Sequence, residues 1–154
     1  MQPSCPMPIP SLDGNGLLPA GIHECTVEEV RLRFGRFQGS DVRSRLFERL
    51  EELHDAMARN QMFAALIVDG SYVTAKPSPN DIDVLLSLRP EHDYARDLNM
   101  TDYALVSRPL VRKRFGFDVL VATERSPAYE EYVQFFARVR GWPDLRKGLL
   151  RIAL

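Results

Sequence analysis

Residues 63–86 read FAALIVDGSYVTAKPSPNDIDVLL, two apolar runs separated by a polar loop that contains two prolines. The first run, Phe63–Val68, is short, continuous and followed by turn residues, which is typical of a buried strand. The second run, Ile82–Leu88, has the same character and ends at an Arg-Pro pair. The stretch therefore predicts two buried strands joined by a loop, and the rest of the chain is organised around them.

Acidic and small residues mark the ends of these two strands. Asp81 and Asp83 stand two positions apart, and strand side chains alternate between faces, so both carboxylates point to one side, roughly 6–7 Å apart. Like charges this close repel unless a cation lies between them, and a divalent metal ion is the simplest such cation. Gly70 and Ser71 let the backbone approach a ligand closely, and a helix starting there offers N–H groups to a phosphate. The pattern predicts a site for a metal-bound nucleotide.

A third aspartate occurs inside another apolar run. Residues 117–122 read FDVLVA and predict a third strand, with Asp118 near its start. An unpaired charge inside a buried strand is costly, so Asp83 and Asp118 need a shared explanation. If their strands are neighbours, these two carboxylates and Asp81 converge on one point and can hold one or two Mg²⁺ ions.

Composition limits the class of protein. At 154 residues with a net charge of −1, the sequence predicts one folded domain and has no overall basic character that would indicate nucleic-acid binding. We expect this domain over residues 26–154, preceded by an extended Pro/Gly-rich arm, residues 1–25, because the prolines there prevent a regular helix. Two cysteines are too few for a disulfide framework or a zinc site. No run approaches the ~20 apolar residues of a membrane span, and the first ten residues do not resemble a signal peptide, so we expect a cytoplasmic protein.

Local signals predict two helices before the central stretch. Thr26 and Glu29 form a capping box that opens a short helix ending before Gly35. Ser40 can cap a long amphipathic helix over residues 41–59, in which apolar side chains recur at helical spacing and the charged face is solvated.

Further elements are predicted after the central stretch. Two short helices are expected to meet near Arg108–Pro109, since proline breaks or kinks a helix. Ser126 and Pro127 favour the start of a helix that Gly141 ends. Residues 149–154 form a final apolar segment, either a strand or a docked tail. These elements predict an α/β (α+β) fold, a small mixed β-sheet flanked by helices.

The central stretch also carries a family resemblance. Gly70–Ser71, nine intervening residues and then Asp81–Ile82–Asp83 resemble the signature of the nucleotidyltransferase superfamily related to DNA polymerase β. Within it the chain is similar to minimal nucleotidyltransferases, small stand-alone proteins often found in prokaryotic toxin–antitoxin pairs. The motif covers residues 66–86, and the third acid extends the match to about residue 122. Residues 12–30 also resemble the opening of an uncharacterised group of such proteins.

The resemblance implies roles for the matched residues. Gly70 and Ser71 would open a helix that contacts a triphosphate. Asp81 and Asp83 would bind Mg²⁺, and Asp118 would complete the metal site. The substrate implied is an NTP, with ATP as the expected nucleotide, and the cofactor is one or two Mg²⁺ ions.

Basic residues offer a counter-charge for a triphosphate. Lys76 lies in the loop of the motif, and Arg112–Arg114 form a basic run just before the third predicted strand. The alternative interpretation of that run is a solvated helix end. The sequence contains no Walker A motif and no GxGxxG pattern, and its three histidines lack metal-ligand spacing.

Two classes of function remain open at this point. The first is an enzyme that transfers a nucleoside monophosphate from an NTP to a hydroxyl of a protein or RNA acceptor, within a toxin–antitoxin or defence system. The second is a catalytically weak or inactive protein of the same fold that acts by contact with a cognate toxin or antitoxin. A tRNA acceptor is compatible with the first class but is not supported by the near-neutral net charge.

Overall fold

The computed structural model describes residues 9–35, 41–77, 79–91 and 98–154. Their strands form one five-stranded sheet and one two-stranded hairpin. The strands are β1 Gly21–Cys25, β2 Phe63–Asp69, β3 Asp83–Leu88, β4 Asp118–Thr123, β5 Arg138–Val139, β6 Trp142–Arg146 and β7 Gly148–Ala153. The helices are α1 Val27–Val30, α2 Asp41–Ala58, α3 Met100–Val106, α4 Arg108–Phe115 and α5 Pro127–Ala137.

The main sheet has the order β1-β7-β2-β3-β4 and is mixed. β1 pairs with β7, and β3 with β4, in parallel, whereas β2 pairs antiparallel with both β7 and β3. The predicted fold class, a small mixed sheet flanked by helices, is therefore confirmed. The expectation that the strands carrying Asp83 and Asp118 are neighbours is confirmed as well.

Side chains alternate along the strands, so the buried apolar residues form one cluster on each face of the sheet. On β2, Leu66 and Val68 belong to a large cluster that includes Leu50 of α2. Ile67 points the other way, into a smaller cluster with Phe136 of α5. The strands read as continuous apolar runs because both of their faces are covered.

Most of the local signals are confirmed. Thr26 forms the predicted capping box with Glu29, and the short helix continues as a π-helical turn, Arg31–Gly35. The long helix α2 lies within one residue of its predicted bounds. Ser126 accepts a hydrogen bond from the Tyr129 N–H and caps α5. Ser40, the predicted cap of α2, lies outside the described residues.

One helix is shorter than predicted. We expected the helix that starts after Ser126 to continue to Gly141, but α5 ends at Ala137. Residues 138–146 form the β5–β6 hairpin instead, with Gly141 at its turn in a left-handed conformation (φ 80°). The Lys147 N–H donates to the Ala137 carbonyl and closes the base of this hairpin.

The final apolar segment is an inner strand of the main sheet. As β7 it lies between β1 and β2. The segment expected to be an arm contributes to the same sheet through β1, and Ile9 and Leu18 are buried in the large core cluster. None of the helices in the described ranges combines the length and the apolar character needed to cross a membrane.

Candidate active site

The Gly-Ser turn packs directly against the backbone of the paired acids. Gly70 follows β2 with φ 98° and ψ −179°, a conformation that is essentially restricted to glycine. A Cβ atom at this position would lie 3.0 Å from both the Asp81 carbonyl oxygen and the Asp83 backbone nitrogen. Glycine is therefore required twice here, for its backbone conformation and for the close approach of two chain segments.

Ser71 joins this turn to Asp81 by hydrogen bonds. Its hydroxyl donates to the Asp81 carboxylate at 2.5 Å, and its N–H donates to the same oxygen at 3.1 Å. The Tyr72 N–H donates to the Asp81 carbonyl, and the Val73 N–H donates to the Gly70 carbonyl. The expected helix is a single 3-10 turn, Ser71–Val73, whose N–H groups bind within the chain, so Ser71 orients an aspartate in this structure.

Three aspartates form a row across adjacent strands. Asp69 on β2 is in register with Asp83 on β3, and Asp83 is in register with Asp118 on β4. Residues in register share a face, and neighbouring strands lie about 4.8 Å apart. Ile67 and Leu85, two residues along from members of the row, pack against α5, so the row faces the α5 side of the sheet. We call Asp69, Asp83 and Asp118 the aspartate row.

Asp69 was not among the predicted site residues. At the sequence level it marks the end of an apolar run, and only the register of β2 against β3 places it beside Asp83. It is 3% exposed, and the Lys147 ammonium lies 3.0 Å from its carboxylate. Burial raises the pKa of Asp69, and Lys147 partly offsets that rise. Lys147 was not among the predicted site residues either, because it is distant from these aspartates in the sequence and only the fold brings it to Asp69.

Asp83 lies at the centre of the row, and the pKa of its carboxyl group is raised by its surroundings. Burial, followed by the charges of Asp81 and Asp69, raises the pKa of Asp83 to about 6. Lys147 acts in the opposite direction. Carboxylates that repel one another in this way are stabilised by a shared cation or by a proton.

Replacing Asp83 with Asn should stabilise the folded chain at pH 7 in metal-free buffer. The folded-state pKa lies above the ordinary value of 3.8, so the stabilising protonated form is present at low pH and is lost as the pH rises through about 6. Because the group is half-exposed to solvent, we expect only about 1 kcal/mol, or 2–4 °C in Tm. The matched control is Asp144→Asn at an exposed position. An Asp83→Asn Tm equal to or below that of the wild type at pH 7, measured with EDTA present, would contradict this.

The third predicted acid, Asp118, is exposed and forms an ion pair with Arg112. This contact brings the first residue of the predicted basic run to the aspartate row. Arg114, from the same run, packs over the Phe115 ring instead, 4.7 Å from its centroid. Lys76 is exposed, and its carbonyl accepts a hydrogen bond from a buried arginine, Arg43.

An open pocket of about 380 Å³ lies beside the row. It is lined by Asp83, Asp118, Arg108 and Phe135, among others, so acidic, basic and aromatic groups meet there. A larger pocket of about 540 Å³, near Asp102, contains no member of the aspartate row. The smaller pocket is therefore the candidate active site, on the basis of its chemistry.

The predicted magnesium site remains a prediction. Within the ranges that the structure describes, no three His, Cys, Asp or Glu side chains are arranged closely enough to hold a metal ion. The carboxylates of Asp69, Asp81 and Asp118 are engaged by Lys147, Ser71 and Arg112 respectively.

Comparison with known proteins places the chain in a family. The sequence pattern of a family of unknown function, DUF6932, matches residues 10–153. The chain belongs to this family. The DUF6932 match runs from before β1 to the end of β7 and so includes the aspartate row, the Gly-Ser turn and the hairpin. No curated protein and no solved structure matches the chain.

Proposed function

We propose that this DUF6932 protein is a minimal nucleotidyltransferase, which transfers a nucleoside monophosphate from an NTP, ATP by preference, to a hydroxyl. The observation that carries the proposal is the placement of Asp83 and Asp118 in register on adjacent parallel strands, with Asp81 held by the Gly70–Ser71 turn. Paired acids next to a Gly-Ser turn are also the sequence motif by which the chain resembles the nucleotidyltransferase superfamily. We also propose that the protein acts in the cytoplasm, which supplies ATP and Mg²⁺.

The residues at the row have the chemistry that Mg²⁺ requires. Mg²⁺ prefers oxygen ligands, and Asp83 and Asp118 offer carboxylates on one side of the sheet. Asp81, just before β3, offers a third. Burial is the main cause of the raised pKa of Asp83, and the charges of Asp81 and Asp69 add to it. A divalent ion would offset the repulsion among these carboxylates. When bound, Mg²⁺ would supply charge neutralisation for the triphosphate and the leaving group.

The proposed reaction is an in-line displacement at the α-phosphorus. The acceptor hydroxyl oxygen forms a bond to the α-phosphorus, and the bond from that phosphorus to the bridging oxygen of the β-phosphate breaks. Pyrophosphate leaves with the electron pair, and Asp118 takes the hydroxyl proton. Most of the rate then comes from positioning and from charge stabilisation.

Basic residues of the site balance the charge of the nucleotide. Arg108 lines the pocket, and Arg112 reaches Asp118. Either guanidinium can bind phosphate oxygens in a bidentate manner. Lys76 is an additional, exposed candidate in the loop after the Gly-Ser turn.

The Asp81→Asn/Asp83→Asn variant tests this proposal. We expect nucleotide transfer to fall at least 100-fold, because the carboxylates that neutralise the reacting phosphates are removed. Incubation with labelled ATP and the products of adjacent genes measures the transfer. Circular dichroism should report an unchanged fold, and Glu48→Gln, at an exposed position of α2, serves as the control. Wild-type levels of labelling by the double variant would refute the proposed nucleotidyltransferase activity.

A partner-binding role is the second candidate. The observation that favours it is that Asp118 and Asp69 already have cationic partners, Arg112 and Lys147, within the chain. In this case the protein would act on a cognate toxin or antitoxin by contact. A thermal shift with Mg²⁺-ATP that depends on Asp81 and Asp83 favours the enzyme. No shift, combined with full neutralisation of a neighbouring toxin by the double variant, favours the partner-binding role.

A further inference from the structure

The β5–β6 hairpin projects from the same edge of the sheet as the aspartate row. On one side it follows α5, whose last turn includes Phe136, which lines the candidate active site. On the other side it leads into Lys147, which forms the ion pair with Asp69. Both ends of the hairpin therefore lie next to residues that contact or neighbour the aspartate row.

The hairpin is basic and carries an exposed aromatic side chain. Arg138, Arg140 and Arg146 are all exposed, and Trp142 is 65% exposed. Asp144 is the single acidic residue in residues 138–146, so the segment has a net positive charge although the whole chain is at −1. Such a concentration of positive charge around an exposed indole has no role in the core of the domain.

The groups of the hairpin are arranged around a shallow concavity. A pocket of about 460 Å³ is lined by Arg138, Arg146, Trp142 and neighbouring residues. Arg146 donates to the carbonyls of Pro143 and Leu145, which holds its side chain along the hairpin. Among the described residues, no hydrogen bond or ion pair engages the guanidinium of Arg138.

Exposed groups continue from the hairpin to the aspartate row. Phe135, on the last turn of α5, is 59% exposed and lines the candidate active site together with Arg108. An extended ligand that lies on the hairpin and enters this pocket would therefore meet the Phe135 ring and the Arg108 guanidinium beside Asp118. Stacking surfaces alternating with positive charges are the arrangement by which proteins bind single-stranded nucleic acid.

We propose that the hairpin docks a single-stranded nucleic acid, whose terminal hydroxyl is the acceptor of the reaction. A base stacks on Trp142, and the arginines contact the flanking phosphates. This inference rests on the proposed function for the role of acceptor, but the docking itself does not depend on catalysis. A protein partner fits less well, because the indole is surrounded by arginine, glycine and proline rather than by a continuous apolar surface.

Trp142 is the single tryptophan of the sequence, so its fluorescence reports the hairpin directly. The probes are a twelve-nucleotide oligo(U) and a twelve-nucleotide oligo(dT), titrated in the absence of NTP. We expect saturable quenching as a base stacks on the indole. With three arginines in contact with phosphates, the slope of log K against log salt should be about −2.

Matched variants separate stacking from general charge attraction. Trp142→Ala should weaken binding about tenfold, as measured by the anisotropy of a labelled oligonucleotide, whereas Trp142→Phe should retain most of the affinity. Arg138→Gln/Arg140→Gln should weaken binding and reduce the salt slope by about 1.4.

The charge-matched control is Arg45→Gln/Arg59→Gln. It alters two exposed arginines, one on α2 and one directly after it, and α2 packs on the other face of the sheet. This variant should bind as the wild type does.

The outcomes distinguish the docking from the chemistry. Quenching by oligo(U), by oligo(dT) or by both supports the docking, and the stronger of the two identifies the sugar preferred. Absence of quenching, equally tight binding of poly-glutamate, or equal losses in the control variant would overturn it.

The proposed function is measured separately. If the wild type labels a protein acceptor but binds no oligonucleotide, the nucleotidyltransferase activity is supported and the docking of nucleic acid is refuted. If Asp81→Asn/Asp83→Asn binds oligonucleotide normally but the wild type transfers no nucleotide, the docking stands and the proposed function fails.

Discussion

Replacing Gly70 with Ala is expected to lower the free energy of unfolding by about 3 kcal/mol. The backbone conformation of Gly70 costs other residues about 1–3 kcal/mol, and the added Cβ would also press against backbone atoms of Asp81 and Asp83 at 3.0 Å. Neither contact is with a flexible side chain, so the turn and the acid-bearing segment must separate. Urea denaturation measures the change, which corresponds to a fall in Tm of about 6–12 °C.

Two other glycines serve as controls for this variant. Gly14 has no positive φ, and a methyl group added to it would meet nothing within 4 Å, so Gly14→Ala should change stability by less than about 0.5 kcal/mol. Gly141 has φ 80° but open space around it, so Gly141→Ala should cost about 1 kcal/mol. If Gly70→Ala costs no more than Gly141→Ala, the close packing of the turn against the acids is not important for stability.

The second large effect is expected at Arg43, a fully buried arginine on α2. Its guanidinium carbon lies 5.9 Å from the centroid of the Phe34 ring and 5.2 Å from that of the Tyr72 ring. The guanidinium donates to the carbonyls of Tyr72, Thr74 and Lys76 at 2.6–2.8 Å. These carbonyls belong to the loop that follows the Gly-Ser turn. Arg43 therefore fixes the path of this loop from inside the domain, and burial lowers the pKa of its guanidinium.

Arg43→Met should lower the free energy of unfolding by about 3–5 kcal/mol, because several buried carbonyls lose their donor at once. Arg43→Lys keeps the positive charge but cannot donate from two nitrogens, so we expect an intermediate loss. Arg45→Met, at an exposed position of the same helix, should be nearly neutral. A loss below about 1 kcal/mol for Arg43→Met in urea denaturation would show that the loop does not depend on this residue.

The burial of Arg43 illustrates what the sequence could and could not reveal. The helix α2 was predictable because its apolar residues recur every three or four positions. The arginines of α2 were expected on its solvated face, and this expectation is wrong for Arg43. Arg43 precedes Phe47 by one turn and Leu50 by two, so its position on the apolar face was visible in the spacing. The identity of its partners was not, because the carbonyls that it binds come from a loop about 30 residues away.

The residues of the candidate site also fall into those that could be predicted from the sequence and those that could not. The paired acids Asp81 and Asp83, and the neighbouring strand with Asp118, were predictable because charges inside apolar runs are unusual. Asp69 and Lys147 were not, because their proximity depends on strand register and on the insertion of β7. The hairpin was missed because one of its strands has only two residues, too few for periodicity to distinguish them from the end of a helix.

The inner position of β7 has a consequence for folding during synthesis. Strands β2, β3 and β4 are consecutive neighbours and can pair as soon as they emerge from the ribosome. β1, in contrast, pairs with β7, so its hydrogen-bonding edge stays unmatched until residues 148–153 have been made. Contacts between segments so distant in sequence form slowly because of the loop-closure entropy. The nascent chain therefore carries an unpaired strand while residues 26–147 are being made, and a chaperone would be of most use in this interval.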